Sequence, residues 1–467
     1  MTNGPGGGHD GSMGALTLRR VLVANRGEIA VRIVRALRDA GIESIVAFSE
    51  ADRGSLATVM ADRAVCIGPA RAAESYLDTN AILAAASALG ADAIHPGYGF
   101  LAERASFATA CVEAGITFIG PRASSIEAMG DKVKARRIAS DVGVPVIPGT
   151  FEPVSPDDAA EVAESIGYPV ILKAAAGGGG RGMRLVSGAD ELRSVVGQAS
   201  AEAQASFGDG SVYVEKYLAN ARHIEVQIAF DEAGEGVHLG ERDCTVQRRF
   251  QKLIEEAPSP VLTATGRQEI TDAALRLARA VGYLGVGTIE FLHDQDSGAS
   301  YFIEANTRLQ VEHPVTEAVT GIDLVALQLR IAAGQPLGLS QSDVVPRGHA
   351  IEFRVNAEDA SNGFQPAAGT VERWSVPLGP GVRVDTHVQP GYRVPPFYDS
   401  LLAKLIVSGA DRPETVARAR RAIREFDVAG VATTLPFHAW VLDQAPFLTS
   451  AISTTWAEGA WKGGRSA

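Results

Sequence analysis

The sequence predicts a mixed α/β and α+β fold, in which a parallel sheet wrapped by helices is followed by antiparallel units. Strand-like and helix-like patterns alternate through the first 120 residues, which favours a parallel sheet. Later segments such as HIEVQIAF at residues 223–230 alternate polar and apolar residues, as antiparallel strands do. A glycine run at residues 177–180 lies between two strand-like segments and indicates a flap. The 467 residues are enough for two to four domains.

Composition excludes several classes of function. The chain is 46% hydrophobic and carries a net charge of -12, which argues against a general nucleic-acid surface. Cys66, Cys111 and Cys244 are odd in number and far apart, which fits a reducing compartment. The Gly-rich residues 1–18 lack the pattern of a secretory signal, and we expect a disordered lead. No apolar run is long enough to span a bilayer, so we expect a cytoplasmic protein without membrane partners.

The first sheet is predicted from four buried-strand patterns at residues 21–25, 44–49, 92–97 and 117–120. This layout is Rossmann-like, but ANRGEIA carries one glycine where the dinucleotide fingerprint needs three, so a dehydrogenase is disfavoured. HPGYGFLAE at residues 95–103 follows a strand, and Tyr98 would lie at the sheet edge where such folds bind ligands. The alternative for this motif is a structural Pro-Gly turn.

A smaller unit is predicted after a boundary near Val144. The strand YPVILK ends in Lys173, the glycine run follows, and MRLV and VYVEKYL read as further strands. Glycines free the backbone N–H groups to wrap an anion, and Lys173 adds a point charge. The run is not a Walker loop, because a strand and not a helix follows it. The alternative is a flexible hairpin.

Residues 301–317, YFIEANTRLQVEHPVTE, carry the densest polar pattern in the chain. If the segment is extended, the polar residues share one face: Glu304, Asn306, Arg308, Gln310 and Glu312. A hairpin through residues 295–298 would set Glu290 beside Glu304. Two carboxylates and an amide oxygen are hard ligands suited to magnesium that also holds phosphate oxygens. The alternative is an edge strand with a charged face.

One cluster of basic residues, which we call the basic cluster, stands out in this acidic chain. It occupies a segment that is predicted to be rich in turns, next to Glu255 and Glu256, and consists of Arg242, Arg248, Arg249 and Lys252. This pattern favours an anionic ligand over a solvated face. Toward the C-terminus, antiparallel strand patterns return. Arg354 lies on one of these patterns, and Asp399 lies in a Pro-rich turn.

Eight motifs resemble those of the biotin carboxylase family in order and spacing: ANRGEIA, HPGYGFLAE, KAAAGGGGRGM, EKYL, RDCTVQRRFQK, EEAPSP, FIEANTRLQVEHPVTE and HAIEFRVNAED. The resemblance extends from about Arg20 to the end of the chain. It implies a pre-ATP-grasp α/β domain at residues 19–143, an ATP-grasp lid at residues 144–218, and a C-terminal ATP-grasp and biotin carboxylase domain at residues 219–460.

The resemblance implies ATP-dependent carboxylation of biotin with bicarbonate, through carboxyphosphate, as a component of an acyl-CoA carboxylase. The implied partners are a carboxyltransferase subunit, a biotin carboxyl carrier protein or domain, and a second copy of the chain. None of the five methionines is followed by lysine, so we expect biotin to arrive on the carrier and not to be attached here.

The resemblance also implies residue roles. ATP would be bound by Lys132, Lys173, Gly178, Gly179, Gly180, Glu215, Lys216, Tyr217, Leu218, His223, Gln247, Phe250, Glu290 and Glu304. Magnesium or manganese would be held by Glu290, Glu304 and Asn306. Bicarbonate and biotin would contact Tyr98, Lys252, Arg308, Gln310, Val311, Arg354 and Asp399. The catalytic residues would be Lys252, Arg308, Glu312 as the base, and Arg354 facing the biotin enolate. Two positions depart from the family pattern: Phe250 replaces a frequent histidine, and Ala176 opens a shortened glycine run.

Three alternatives remain open at this point. The chain could serve another carboxylase, such as one acting on pyruvate. It could be a different ATP-grasp ligase, which forms carbamoyl phosphate or joins amino acids, although RLQVEHPVTE and HPGYGFLAE count against this. It could also be a nucleotide-binding regulatory subunit without turnover, which the intact set of charged residues makes the weakest alternative.

Overall fold

The computed structural model describes residues 18–174, 183–207 and 210–463. Two sequence expectations lie outside these residues: the disordered lead, apart from Leu18, and the phosphate-binding glycines Gly178, Gly179 and Gly180 with the neighbouring Ala176. No helix in the described ranges is both long and apolar enough to cross a membrane.

A five-stranded parallel sheet with strand order β3-β2-β1-β4-β5 begins the chain, as predicted. Its elements are β1 (Arg20–Val23), α1 (Gly27–Asp39), β2 (Glu43–Ser49), α2 (Leu56–Met60), β3 (Arg63–Gly68), α3 (Thr79–Leu89), β4 (Ala93–His95), α4 (Ala105–Glu113) and β5 (Thr117–Phe118). The sequence patterns missed β3. This edge strand buries only Ile67 fully, so it lacks the apolar run that marks the other strands.

Two helices follow the parallel sheet, α5 (Ala123–Gly130) and α6 (Lys132–Asp141). Met129, Ala135 and Ala139 belong to a core cluster whose other members lie mostly on the later antiparallel sheet and on the helix at residues 264–280. The packing partner therefore changes before the boundary that we place near Val144. The three domain ranges themselves stay a prediction.

The second unit is a three-stranded antiparallel sheet with two covering helices, as the strand patterns predicted. Its elements are α7 (Pro156–Ile166), β6 (Val170–Ala174), β7 (Met183–Val186), α8 (Ala189–Phe207) and β8 (Val212–Lys216). Alternate residues Val170 and Leu172 of the central strand pack against Leu192 and Val196 of α8 in a small core of its own. This core is separate from the cores of the two larger sheets.

The rest of the chain is built around an eight-stranded antiparallel sheet. This part of the chain contains, in order, β9 (Ala221–Phe230), β10 (Gly236–Arg248), β11 (Gln251–Ala257), α9 (Ala264–Ala280), β12 (Gly285–Asp294), β13 (Ser300–Asn306), α10 (His313–Thr320), α11 (Leu324–Ala332), β14 (His349–Asn356), β15 (Glu358–Asp359), β16 (Gln365–Pro366), β17 (Gly369–Thr370), β18 (Arg373–Ser375), β19 (Val382–Thr386), β20 (Arg393–Val394), β21 (Leu401–Gly409), α12 (Arg412–Glu425), β22 (Asp427–Ala429), α13 (Leu435–Val441), α14 (Ala445–Leu448) and α15 (Trp456–Ala460). The sheet order is β13-β12-β9-β10-β11-β14-β21-β19. The predicted mixed architecture is confirmed.

Candidate functional site

The predicted hairpin places two carboxylates side by side. Strands β12 and β13 are antiparallel, and Glu290 lies directly opposite Glu304 in their register. Residues directly opposite in an antiparallel pair have Cβ atoms about 5 Å apart. Glu290 is buried, whereas Glu304 is half-buried, and its Oε2 lies 3.1 Å from Nζ of Lys132. The pair therefore presents one sheltered and one accessible carboxylate.

The expectation that residues 301–312 are all extended is wrong. Strand β13 ends at Asn306, and Glu312 is the N-cap of α10. Where the chain leaves the sheet, N of Thr307 donates to Oε1 of Glu103 at 3.0 Å. Pro314 then favours a helix start. Period-2 alternation in this segment reflects a strand followed by a loop.

The polar side chains still converge after the strand ends. Arg308 donates from Nη2 to Oδ1 of Asn306 and from Nη1 to Oε1 of Gln310, both at 3.0 Å. Nε of Arg308 also donates to Oε2 of Glu103 at 2.8 Å. The convergence predicted for this segment is thus present, although a folded-back loop and not a common strand face produces it.

Lys252 lies at the centre of the site. Its ammonium donates to Oε2 of Glu225 at 2.5 Å, to Oε1 of Glu290 at 2.9 Å and to Oε1 of Glu312 at 2.7 Å. Burial alone would lower the pKa of Lys252, but the three carboxylates raise it well above its ordinary value. Lys252 therefore stays cationic and joins three separate elements, β9, β12 and the start of α10.

Glu290 is held from several sides. Its Oε2 lies 2.7 Å from Nε2 of His223, and its Oε1 accepts from Nδ2 of Asn306 at 2.6 Å and from Nε2 of Gln310 at 3.0 Å. Burial acts to raise the pKa of Glu290, but Lys252 and His223 hold it well below its ordinary value. Glu290 is therefore an ionised carboxylate at neutral pH, as a metal ligand must be.

Glu312 lies between two cations. Its side chain is fully buried, and Oε1 faces Lys252 while Oε2 accepts from Nη2 of Arg354 at 3.0 Å. Burial would raise the pKa of Glu312, yet Lys252 and Arg354 together lower it well below its ordinary value. The guanidinium of Arg354 also donates from Nε to Oε1 of Glu255 at 2.6 Å. Glu312 is therefore an ionised carboxylate at neutral pH.

The basic cluster does not lie in a segment rich in turns, as we expect from the sequence. Its residues lie on the β10–β11 hairpin and not in a turn-rich segment, because both strands continue the large sheet. Lys252 and Arg242 point into the site, whereas Arg249 lies at the hairpin turn with 71% of its side chain exposed. Phe250, also in the turn, is 60% exposed, and Gln247 is buried opposite Lys252.

Several residues of the site were not assigned a role in it from the sequence. Arg242 is fully buried, bound to Glu225, and donates from Nη1 to Oε1 of Gln227 at 2.7 Å. The alternating pattern of residues 223–230 predicts that His223, Glu225 and Gln227 share one face of a strand, and they do so on β9, but the pattern does not show that Arg242 meets Glu225 and Gln227 there. Glu103 had no such signal, because its contact with Arg308 spans 205 residues of the chain.

The residues of the small sheet that are predicted to bind ATP contact other groups of the protein. Lys173 contacts Oε2 of Glu215, whose Oε1 lies 2.9 Å from Nη1 of Arg136. Nζ of Lys216 donates to the carbonyl oxygens of Gly167 and Tyr168 at 2.9 and 3.0 Å. The residues after β8, Tyr217 and Leu218, lead directly into the large sheet.

The other predicted contacts lie near the parallel sheet. The hydroxyl of Tyr98 donates to Oε1 of Glu28, and that oxygen lies 3.1 Å from Nζ of Lys404. Lys404 also donates to the carbonyl oxygen of Val311 at 3.1 Å. Asp399 is exposed, and its Oδ1 accepts from N of Leu401 at 3.0 Å.

The donor set at the hairpin fits a hard divalent cation. Glu290, Glu304 and Asn306 supply carboxylate and amide oxygens from neighbouring strands, which magnesium and manganese prefer. The half-buried carboxylate of Glu304 remains accessible to a ligand that arrives from solvent. These residues therefore match the chemistry of the predicted metal.

Three family models match the chain in succession: "Biotin carboxylase, N-terminal domain" at residues 17–126, "Carbamoyl-phosphate synthase L chain, ATP binding domain" at 131–340, and "Biotin carboxylase C-terminal domain" at 352–459. Biotin carboxylase 1 of Bacillus subtilis is 48% identical over 442 residues, covering 94% of this chain and 98% of the relative. A pyruvate carboxylase subunit of Methanothermobacter thermautotrophicus is 50% identical over 436 residues, covering 93% and 88%. Among solved structures, the biotin carboxylase domain dimer of Hydrogenobacter thermophilus 2-oxoglutarate carboxylase, with MgADP, ADP and bicarbonate, is 44% identical with a TM-score of 0.91, covering 96% of this chain and 99% of that one.

Proposed function

The chain belongs to the biotin carboxylase family of ATP-dependent carboxylases, and from this premise we propose that it carboxylates carrier-bound biotin through carboxyphosphate, as a component of an acyl-CoA carboxylase. The observation that carries the proposal is the ammonium of Lys252, which contacts both Glu290 and Glu312. The ammonium of Lys252 thus contacts both the proposed metal ligand, Glu290, and the proposed base, Glu312. A reaction that activates bicarbonate with ATP needs these two functions next to each other.

At the nucleotide end, Glu290, Glu304 and Asn306 would hold magnesium or manganese. The metal would neutralise charge on the transferring phosphoryl group, which is its general role in such reactions. Lys132 forms an ion pair with Glu304, and it can contact phosphate oxygens instead of this carboxylate when the nucleotide binds. The remaining predicted ATP contacts in the small sheet, from Lys173 to Leu218, would complete this end.

At the bicarbonate end, Lys252, Arg308 and Gln310 would surround the anion, with the backbone of Val311 beside it. Lys252 is fixed by carboxylates on three elements, so its charge is oriented before the substrate arrives. Glu312 is ionised and within hydrogen-bond reach of Lys252, and it would take the proton of bicarbonate. Bicarbonate is a poor electrophile, and phosphorylation would turn it into a source of carbon dioxide.

Biotin would bind beside Arg354. Removing the proton from its ureido nitrogen creates an oxyanion, and Nη2 of Arg354, now on Glu312, would stabilise that charge. Tyr98 and the exposed Asp399 would flank the entrance. The biotin would be delivered by a carrier protein or domain, and a carboxyltransferase subunit would use the product.

The final acceptor of the carboxyl group distinguishes two versions of the proposal. One relative is named as a pyruvate carboxylase subunit, and one matched structure belongs to a 2-oxoglutarate carboxylase. We keep an acyl-CoA as the proposed acceptor and pyruvate as the alternative. The same structure is described as a dimer, which supports the proposed homodimer.

The proposed reaction is tested by supplying the purified chain with ATP, magnesium, bicarbonate and free biotin. We expect ADP release that needs bicarbonate and is stimulated by biotin. Stimulation by an amine or amino acid in place of biotin would indicate a different ATP-grasp ligase, and no turnover would indicate a regulatory subunit. Adding carrier, carboxyltransferase and either an acyl-CoA or pyruvate then identifies the acceptor.

Replacing Arg354 should separate the two half-reactions. In Arg354→Ala we expect carboxylation of biotin to fall by about two to three powers of ten, the usual cost of losing one oxyanion donor. Slow bicarbonate-dependent ATP cleavage without biotin should persist, because Lys252 and Glu312 remain. Arg373→Ala is the matched control, since Arg373 pairs with Asp427 at the surface. Equal loss of both activities in Arg354→Ala would refute this division of roles.

A further inference from the structure

A buried glutamate without partners lies next to Arg354. Glu352 precedes Arg354 by two residues on β14, so both side chains project from the same face of the sheet. The side chain of Glu352 is 0% exposed, and neither carboxyl oxygen has a hydrogen-bond partner among the described residues. An ionised carboxylate in such surroundings is very costly, whereas the neutral acid costs much less.

A second carboxyl group lies directly across the sheet. Glu255 on β11 is opposite Glu352 in the strand register, and the Cβ atoms of such pairs are about 5 Å apart. Oε1 of Glu255 accepts from Arg354, but Oε2 is buried and also has no partner among the described residues. Two buried carboxyl groups this close do not readily ionise together.

We propose that Glu352 is a positioning residue that retains its proton in the folded protein, so that Arg354 keeps its charge directed at Glu312 and at biotin. The inference deepens the proposed function, because it rests on the role proposed there for Arg354. Glu255 and Glu312 already place two carboxylates on this guanidinium. Ionised Glu352, two residues before Arg354 on the same strand face, would add a third negative charge that competes with Glu312 and biotin for the guanidinium.

The charged groups around Glu352 support a neutral carboxyl. Lys404 of β21 is the nearest alternative cation, but its Nζ lies on Glu28 at 3.1 Å and on the carbonyl oxygen of Val311 at 3.1 Å. Burial raises the pKa of Glu352 well above its ordinary value; Lys404 and Arg354 act to lower it, and the carboxylates of Glu255 and Glu312 act to raise it.

Charged groups on the helices packed against β14 have partners of their own. Glu317 of α10 contacts Arg383, Arg412 at the start of α12 contacts Glu256, and Arg418 farther along α12 contacts Glu414. His313 of α10 is buried, and burial lowers its pKa well below its ordinary value, so it adds no charge. The closest positive charges to Glu352 are therefore the ones that Glu28, Glu255 and Glu312 already bind.

The pH dependence of unfolding tests the proton directly. Glu352→Gln has the shape of the neutral acid but cannot ionise. In the unfolded wild type Glu352 is ionised above pH of about 4.3, so unfolding would release one proton that the variant does not release. We expect the unfolding equilibrium constant of the wild type, relative to that of the variant, to rise roughly tenfold per pH unit between pH 6 and pH 8 in urea titrations. A ratio that does not change with pH overturns the proposal. So does the same pH dependence in Glu255→Gln, because burial also raises the pKa of Glu255, to about 7, and that result would place the proton on Glu255.

Glu241→Gln is the matched control. Glu241 is also buried, but its Oε1 accepts from Nε of Arg267 at 2.7 Å, so it has the cationic partner that Glu352 lacks among the described residues. Its substitution should lower stability by the same factor at both pH values. If Glu352→Gln does not fold, Glu352→Met takes its place, since it also fills the site without a titratable group. Failure of both to fold overturns the proposal, because a neutral side chain of this size should be tolerated.

The functional readout is a pH profile. We expect wild-type biotin carboxylation to fall at alkaline pH before biotin-independent ATP cleavage falls, and the carboxylation profile of Glu352→Gln to extend to higher pH. Coinciding profiles would contradict the positioning role. The unfolding measurement needs no activity, so failure of the proposed reaction and failure of this inference give different results.

Discussion

Glu312→Gln should reduce bicarbonate-dependent ATP cleavage by about two to four powers of ten, which is the range that a general base contributes. The amide keeps the size of the side chain and can still accept from Nη2 of Arg354, but it cannot take a proton. Nucleotide binding should stay near normal, because Glu290 and Glu304 are untouched. Initial rates of ADP release with and without bicarbonate, together with the dissociation constant of the nucleotide, measure both effects.

Two control variants separate chemistry from packing. Glu317 lies one turn later on α10, where it is buried and bound to Arg32 and Arg383. Glu317→Gln should lower stability while bicarbonate-dependent turnover stays within severalfold. Glu304→Gln, at the proposed metal end, should weaken all ATP cleavage whether or not biotin is present. If Glu312→Gln instead loses nucleotide binding, its carboxylate is structural and the proposed base lies elsewhere.

The hairpin could be predicted from the sequence because its determinants are local. Two strand patterns separated by a polar turn fix the register, and the register sets Glu290 opposite Glu304. The path after Asn306 could not be predicted in this way. Its polar alternation looks like a strand, but the chain leaves the sheet where Oε1 of Glu103, a residue in the loop between β4 and α4, accepts from N of Thr307.

The contacts of Lys252 with its three carboxylates were predicted only in part, because they too join residues that are far apart in the sequence. The motifs gave Lys252 and Glu312 through a family resemblance, but no local pattern shows that both meet Glu225 and Glu290 on one ammonium. The burial of a polar side chain such as Glu352 also cannot be predicted from a single sequence. Glu352 looks like an ordinary polar position on an alternating strand, and only the sheet and α10 packed over it reveal an acid without partners among the described residues.

Lys252→Met should have the second large effect, on stability as well as on activity. Methionine fills the space of the aliphatic stem but leaves Glu225, Glu290 and Glu312 without their shared cation. Removing one partner of a buried ion pair costs about 3–5 kcal/mol, and we expect a loss of this size in the free energy of unfolding at pH 8. Bicarbonate-dependent ATP cleavage should also fall by at least about two powers of ten, since the charge at the bicarbonate end is lost.

The sign of the pH dependence distinguishes this explanation from simple loss of packing. In the wild type, Lys252 helps to hold the pKa values of Glu290 and Glu312 below their ordinary range, so its stabilisation is present above pH of about 4.3 and is lost as pH falls through the lowered folded values. In the variant the orphaned carboxylates bind protons more readily, so the deficit in unfolding free energy should shrink between pH 8 and pH 5.5. Lys216→Met is the control, because Lys216 donates to two carbonyl oxygens that do not titrate, and its deficit should be the same at both pH values. A pH-independent deficit for Lys252→Met would mean that packing of the stem, and not the charge of the ammonium, holds the site together.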